Sequence, residues 1–117
     1  MKAARSENGL FIATIEVQSR KFPALVDTGS NICAASYKVF TTIKGARATT
    51  YDKISGPLKS AHALGYSAEV GFDGHSVMTH VYRLPLEMQG IEFILGLSVL
   101  SQCTILTKDD QMEIKWS

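Results

Sequence analysis

The sequence has few of the features that mark secreted, metal-binding or nucleic-acid-binding proteins. It contains only two cysteines, and without a secretory signal we expect Cys33 and Cys103 to be buried free thiols rather than a disulfide. No cysteine and histidine spacing suits a metal, so we predict no metal or cofactor and place the three histidines on surface strands. Those histidines are His62, His75 and His80.

Charge and hydropathy exclude further classes of partner. Lysine and arginine total 12 against 11 acidic residues and are scattered, which argues against nucleic-acid and anionic-membrane partners. The apolar runs are too short to span a membrane, and residues 2–7 lack the apolar middle of a signal peptide. The hydrophobic content is 45%, enough for one ordinary core, so we expect one soluble, intracellular domain over residues 1–117.

The first third of the chain has the period of β-strands. Alternating apolar positions predict a strand over Leu10–Val17, and Gln18–Lys21 turns it back into a second strand over Phe22–Val26. Asn31–Ser36 is short and apolar, which suits a buried strand, although a helical turn is the open alternative. Tyr37–Ala48 is polar and basic, and we interpret it as a loop with at most an edge strand.

Two hairpins are predicted in the middle of the chain. Strand formers at Thr49–Tyr51, a turn cluster at Ile54–Pro57 and a returning strand over Leu58–Ala63 form the first. In the second, Asp73-Gly74 joins Tyr66–Phe72 to His75–Leu84 through a two-residue turn, and Pro85 ends the ladder.

The last third predicts a buried strand, a short helix and a third hairpin. The strand is Ile91–Leu95, and the helix, Leu97–Ser101, follows Gly96. The hairpin, Thr104–Trp116, has Met112, Ile114 and Trp116 on one face.

One stretch, Phe22–Ser36, carries the chemistry. The triplet Asp27-Thr28-Gly29 interrupts two apolar runs, so its turn enters the interior and Asp27 is not an ordinary solvated loop residue. Gly29 provides the backbone freedom that such a turn needs.

The segment LVDTGS at Leu25–Ser30, followed by FILG at Phe93–Gly96, resembles the retroviral-type, retropepsin-like aspartic proteases. The likeness covers about residues 10–106 and is closest to the protease domains of plant pararetroviruses and LTR retroelements, on the segments Ser30–Ser36 and Gly90–Gly96. It implies an all-β, small closed barrel-like fold with a flap hairpin and one short helix, active as a twofold homodimer. A bilobal, pepsin-like protein would need a longer chain.

The resemblance also implies the site. Asp27, Thr28 and Gly29 would be catalytic: the acid pairs with its copy in the second subunit, the threonine hydroxyl braces the loop, and the glycine lets substrate backbone approach. Two acids sharing one proton are needed, and the chain has a single D-[ST]-G triplet. The implied substrate-binding residues are Ser30, Asn31, Ala34, Ile54, Ser55, Gly56, Pro57, Ile91 and Ile94.

Several alternatives stay open at this point. Ile54–Pro57 is either the flap tip or an ordinary surface turn, and the C-terminal hairpin either builds a dimer interface or covers its own core. Ser30 donates either to the acid pair or only to backbone or substrate. Leu97-Ser98 replaces charged residues common in the family, which puts an intersubunit salt bridge there in doubt.

The expected function is cleavage of a viral or retroelement polyprotein by an aspartic endopeptidase. The alternative is a catalytically silent domain of the same fold that serves dimerisation or peptide binding. A third interpretation is a small β-barrel unrelated to proteases.

Overall fold

The computed structural model describes residues 1–43, 47–55 and 60–117. Within these ranges the chain forms ten strands, two short α-helices and one 3-10 turn, Leu86–Gln89. In chain order the elements are β1 Lys2–Arg5, β2 Phe11–Val17, β3 Arg20–Val26, β4 Cys33–Ala35, α1 Tyr37–Thr42, β5 Arg47–Ser55, β6 Ser60–Phe72, β7 His75–Arg83, β8 Phe93–Leu95, α2 Leu97–Leu100, β9 Cys103–Lys108 and β10 Gln111–Trp116.

Six of the described strands close into a barrel. Neighbours are hydrogen-bonded in the order β6, β7, β4, β8, β3 and β2, and a second pairing, β2 with β6, completes the ring. That pairing joins Glu16 to Gly71 and Val17 to Val70. The all-β, barrel-like fold class is thereby confirmed.

Alternation along the strands fills the barrel. In β2, Ala13, Ile15 and Val17 are buried, while the intervening Thr14 and Glu16 are exposed. This period of two is the one predicted from the sequence, and it fixes which face of the strand meets the core.

The Asp73-Gly74 hairpin is confirmed, with positive φ at both turn residues, 51° and 76°. The sequence predicted two separate strands before this turn, ending at Ala63 and at Phe72, and that division is wrong. β6 runs unbroken over Ser60–Phe72, so the strand that returns from β5 and the strand that enters the Asp73 turn are one element.

The interpretation of Tyr37–Ala48 as a loop is wrong, because α1 occupies Tyr37–Thr42 and β5 begins at Arg47. The buried Ser36 side chain caps the helix by accepting the Val39 N–H at 3.3 Å. The Val39 side chain is fully buried, and this apolar contact outweighs the polar surface of the segment.

The C-terminal hairpin covers the core of its own chain. β10 pairs with β1, a strand that the sequence analysis missed, and Met112 and Ile114 are buried in the core cluster. The Trp116 ring stacks on Phe72 with centroids 4.5 Å apart, and its indole N–H donates to the Phe72 carbonyl at 2.9 Å. The free edge of this terminal sheet is β9.

The expectations for cysteine and histidine are largely confirmed. Both cysteines are free thiols, with Cys33 buried and Cys103 half-buried, and the three histidines are exposed on β6 and β7. None of the described helices has the length and apolar character that crossing a membrane requires.

Candidate active site

Asp27 directly follows β3 and is half-buried. β3 runs parallel to β8, with Val26 beside Leu95, and the Asp27 N–H continues this ladder by donating to the Leu95 carbonyl at 3.0 Å. Asp27 is therefore the residue at which the backbone hydrogen bonding between β3 and β8 ends.

The turn after Asp27 is closed by two hydrogen bonds. The Gly29 N–H donates to Asp27 Oδ1 at 2.9 Å, and the Ser30 N–H donates to the Asp27 carbonyl at 3.2 Å. A Cβ at Gly29 would lie 3.2 Å from Asp27 Oδ1, which is tight. Glycine thus allows the backbone to lie against the carboxylate and to fix its orientation.

The segment that joins β8 to α2 lies directly across this loop. The Leu97 N–H donates to the Ser30 carbonyl at 2.8 Å. A Cβ at Gly96 would lie 2.0 Å from the Ile32 carbonyl oxygen, so only glycine fits there. The Gly96 segment and the acid loop are thus packed backbone against backbone.

A buried thiol ties the same two segments together. Cys33 Sγ accepts the Gly96 N–H at 3.4 Å and the Ser98 hydroxyl at 3.3 Å. Burial raises the pKa of the Cys33 thiol, which keeps it protonated and unreactive at neutral pH. Sequence reasoning missed the partnership because two sulfur contacts across 63 and 65 residues leave no local pattern.

Ser30 serves the backbone of its own loop. Its hydroxyl donates to the Ile32 carbonyl at 2.9 Å, and a hydroxyl has a single proton to donate. Of the two alternatives for Ser30, the structure has the backbone bond. Thr28 is exposed, and within the described part of the chain its hydroxyl has no hydrogen-bond partner, so its role in bracing the loop stays a prediction.

A cleft of about 690 Å³ opens beside the acid loop. One wall comes from the loop, β4 and β8, and the other comes from β5 and the end of β7. The described lining residues are Gly29, Ser30, Asn31, Ile32, Ala34, Asp52, Lys53, Ile54, Tyr82, Leu84 and Ile94.

The cleft brings together most of the predicted substrate-binding residues that can be placed. Ser30, Asn31, Ala34, Ile54 and Ile94 all line it.

Of the predicted substrate-binding residues whose side chains the structure describes, one lies apart from the cleft. Ile91 is not among the described lining residues; it lies before β8, next to the 3-10 turn, where its N–H donates to the Leu86 carbonyl at 3.1 Å. Ser55 ends β5, and Gly56 and Pro57 lie outside the described residues, so the flap tip stays a prediction.

Sequence reasoning missed one polar pair in the cleft. The Tyr82 hydroxyl donates to Asp52 Oδ2 at 2.9 Å. This hydrogen bond holds the pKa of the Asp52 carboxyl below its usual range, while burial raises the pKa of the Tyr82 phenol. The pair also borders a second cleft of about 530 Å³, whose described lining is Ile32, Asp52, Met78, Thr79, His80, Tyr82 and Ser98.

Chemically, the acid loop offers one accessible carboxylate, that of Asp27. Among the described residues, the Asp27 carboxylate accepts one hydrogen bond, from the Gly29 backbone N–H. Its side chain is only half-buried, so another group can reach it. No cluster of three or more potential metal-binding side chains occurs in the described ranges.

Solved structures share this fold. The crystal structure of a retropepsin-like aspartic protease from Rickettsia conorii matches with a TM-score of 0.71 and 19% identity, covering 99% of this chain and 90% of that one. EIAV protease, solved with the inhibitor HBY-793, matches with a TM-score of 0.66 and 15% identity over 77% and 84% of the two chains. No protein-family model and no curated sequence matches the chain. At these identities the likeness establishes a retropepsin-like fold.

Proposed function

We propose that the chain is a homodimeric aspartic endopeptidase whose active site is completed by Asp27 of a second copy. The observation that carries this proposal is the Asp27-Thr28-Gly29 triplet in a retropepsin-like barrel, with the acid half-exposed beside a cleft. A single carboxylate cannot do the work of both acid and base, so a twofold axis beside Asp27 supplies the second one.

The reaction follows from two carboxylates about 3 Å apart that share one proton. The ionised acid takes a proton from water as the water oxygen attacks the scissile carbonyl carbon. The protonated acid gives its proton to the carbonyl oxygen. The tetrahedral intermediate then collapses: one of its hydroxyl groups returns a proton to the dyad, the C–N bond breaks, and the proton that the dyad took from water passes to the departing amine.

The cleft suits an extended polypeptide. Ala34, Ile54 and Ile94 give it apolar walls, which favours hydrophobic side chains beside the scissile bond. Gly29 lets the substrate backbone come close to the acids, while Asn31 offers it polar contacts. Ser55, Gly56 and Pro57 would complete the flap over the bound chain, and Ile91 would extend a pocket.

The natural substrate in this proposal is a viral or retroelement polyprotein, of the kind found in plant pararetroviruses and LTR retroelements, processed inside the host cell. The motif likeness of Ser30–Ser36 and Gly90–Gly96 supports this assignment. The exposed Thr28 hydroxyl fits the same dimer, since it is available to brace the partner's loop across the axis.

Cleavage of a protein substrate at mildly acidic pH, inhibited by pepstatin-like statine compounds, tests the proposal. Asp27→Asn should remain folded and lose at least roughly a thousandfold in turnover, because an amide cannot share the proton. Asp110→Asn, at an exposed carboxylate on the terminal hairpin, is the matched control and should keep full activity.

Dilution tests the dimer. Specific activity should fall as the subunits separate. Turnover by Asp27→Asn close to that of the parent protein, or an active species that sediments as a monomer, would overturn the proposal. A folded dimer that binds peptides without cutting them would instead favour the catalytically silent alternative.

A further inference from the structure

An acidic side chain faces the interior of the cleft. Along β5, Thr50, Asp52 and Ile54 are half-buried, whereas the alternating Tyr51 and Lys53 are exposed. Asp52 sits opposite Ala63 of β6, which is 4% exposed, so its face of the strand is the inner one. The cleft walls carry apolar side chains such as Ile32, Ile54 and Ile94 beside polar ones such as Ser30 and Asn31.

Tyr82 orients this carboxylate without neutralising it. The phenol donates its proton to Asp52 Oδ2 at 2.9 Å, which leaves the negative charge in place. No lysine or arginine of the described ranges forms an ion pair with Asp52. A solvent-accessible carboxylate that no lysine or arginine of the described ranges pairs with still attracts a cation, by up to roughly fivefold in affinity, so a ligand with a cationic group gains from binding there.

Two basic side chains, Lys53 and His80, lie near the Tyr82–Asp52 pair. Lys53 borders the cleft, but its side chain belongs to the exposed face of β5 and extends into solvent. His80 lies at the adjoining cleft and contributes an attraction that also lowers the pKa of Asp52. The lowered pKa keeps the Asp52 carboxylate ionised at the mildly acidic pH at which a shared-proton dyad works.

We propose that Asp52, held in position by Tyr82, is a specificity-determining residue that selects polypeptides with a lysine or arginine side chain in this cleft. The inference rests on the proposed function, because it names the substrate class for that same site. It also goes beyond the apolar character of the walls, which by itself predicts only hydrophobic side chains.

Two substitutions separate charge from hydrogen bonding. Asp52→Asn removes the charge but keeps an oxygen that can accept the Tyr82 proton. Tyr82→Phe removes the hydrogen bond but keeps the charge. The probe is a set of peptides built on one cleaved sequence, with lysine or norleucine at each position in turn. The readout is the ratio of kcat/KM for lysine over norleucine within one variant, which cancels any loss of folded enzyme.

At one position the parent protein should favour lysine, and Asp52→Asn should lower that ratio roughly fivefold, the upper end for one solvent-accessible ion pair. Tyr82→Phe and the control Asp110→Asn should leave most of the ratio intact. An unchanged ratio in Asp52→Asn at every position would overturn the inference. So would an equal loss in the control Asp110→Asn, since that result would show that the ratio does not report on the Asp52 charge.

Failure of the endopeptidase proposal can be told apart from failure of the charge-selection inference. If the parent protein cuts no peptide, the endopeptidase proposal fails, and the lysine and norleucine peptides are compared by fluorescence anisotropy for binding instead. A roughly fivefold preference for lysine that Asp52→Asn removes would still support the charge-selecting cleft. Equal affinities in both proteins would overturn it.

Discussion

The two walls of the cleft are built in different ways. The wall that carries Asp27 is held from behind by backbone contacts to β8 and by a buried thiol that accepts two hydrogen bonds. The opposite wall is β5, which lies at the edge of the sheet and pairs with β6 alone among the described strands. Among the described residues, its side-chain links to the barrel include the Tyr82–Asp52 hydrogen bond and the stacking of Tyr51 on His62 of β6.

This difference matches the division of labour in the proposed enzyme. A catalytic acid must be positioned before substrate arrives, which requires interlocked backbone on a rigid element. A wall that admits a polypeptide must be able to move, and strands with few buried contacts open at low cost. Four substitutions test the comparison, and the largest effects are expected on the acid-bearing wall.

Gly96→Ala should be the most damaging change. Its new methyl group would lie 2.0 Å from the Ile32 carbonyl oxygen, so the acid loop must shift. We expect a loss of about 3 kcal/mol in the free energy of unfolding, measured by urea titration, together with loss of cleavage. Gly9→Ala is the control, because nothing lies within 4 Å of the added atom and only its φ of 81° is unfavourable, which costs about 1–2 kcal/mol. Equal losses would mean that contact with the acid loop is unimportant.

Cys33→Ala should have the next largest effect. It leaves the buried Gly96 N–H without its acceptor, and we expect about 1–3 kcal/mol of destabilisation in the same titration. Cys33→Ser keeps an acceptor and should recover part of the loss. Cys103→Ala, at the half-buried cysteine, should cost less. Identical curves for the alanine and serine variants would show that the thiol only fills space.

Tyr82→Phe should weaken the β5 wall slightly and in a pH-dependent way. The hydrogen bond lowers the pKa of Asp52 in the folded protein, so its stabilising contribution is present at neutral pH. That contribution disappears as the pH falls through the folded pKa, below the ordinary value of about 3.9. The difference in stability between variant and parent should therefore shrink on acidification. A carboxyl NMR titration of Asp52 should show its pKa rising in Tyr82→Phe.

Ser30→Ala should have the smallest effect on catalysis. The hydroxyl already donates to the Ile32 carbonyl, so removing it should leave the acidic limb of the pH–rate profile in place. A proton aimed at the dyad would instead move that limb by up to roughly one pH unit. Superimposable acidic limbs are the expected result, and an upward shift in the alanine variant would show that Ser30 tunes the acids.

The quality of the local signals explains which elements were predictable. An Asp-Gly pair between strand formers needs positive φ at both positions, and the turn at Asp73 has it. The region Tyr37–Ala48 was misjudged because its helix has no strong amphipathic pattern and depends on a Ser36 cap and the burial of Val39. Propensity is a weak guide when one buried contact decides the outcome.

The candidate site divides in the same way. Asp27 and the residues just after it were predictable, because their turn, their apolar flanks and their likeness to a known motif are local in sequence. Asp52 and Tyr82 were not, since they are 30 residues apart and meet only through the registers of β5 with β6 and of β6 with β7.

The sequence by itself determined the strand periods, the tight turn at Asp73 and the acid at Asp27, because each depends on residues a few positions apart. Only the tertiary structure decided that β2 pairs with β6 to close the barrel, that Cys33 lies under Gly96, and that Asp52 faces the cleft. These are contacts between distant segments. Their energies depend on burial and on strand register, which exist only after the chain has folded.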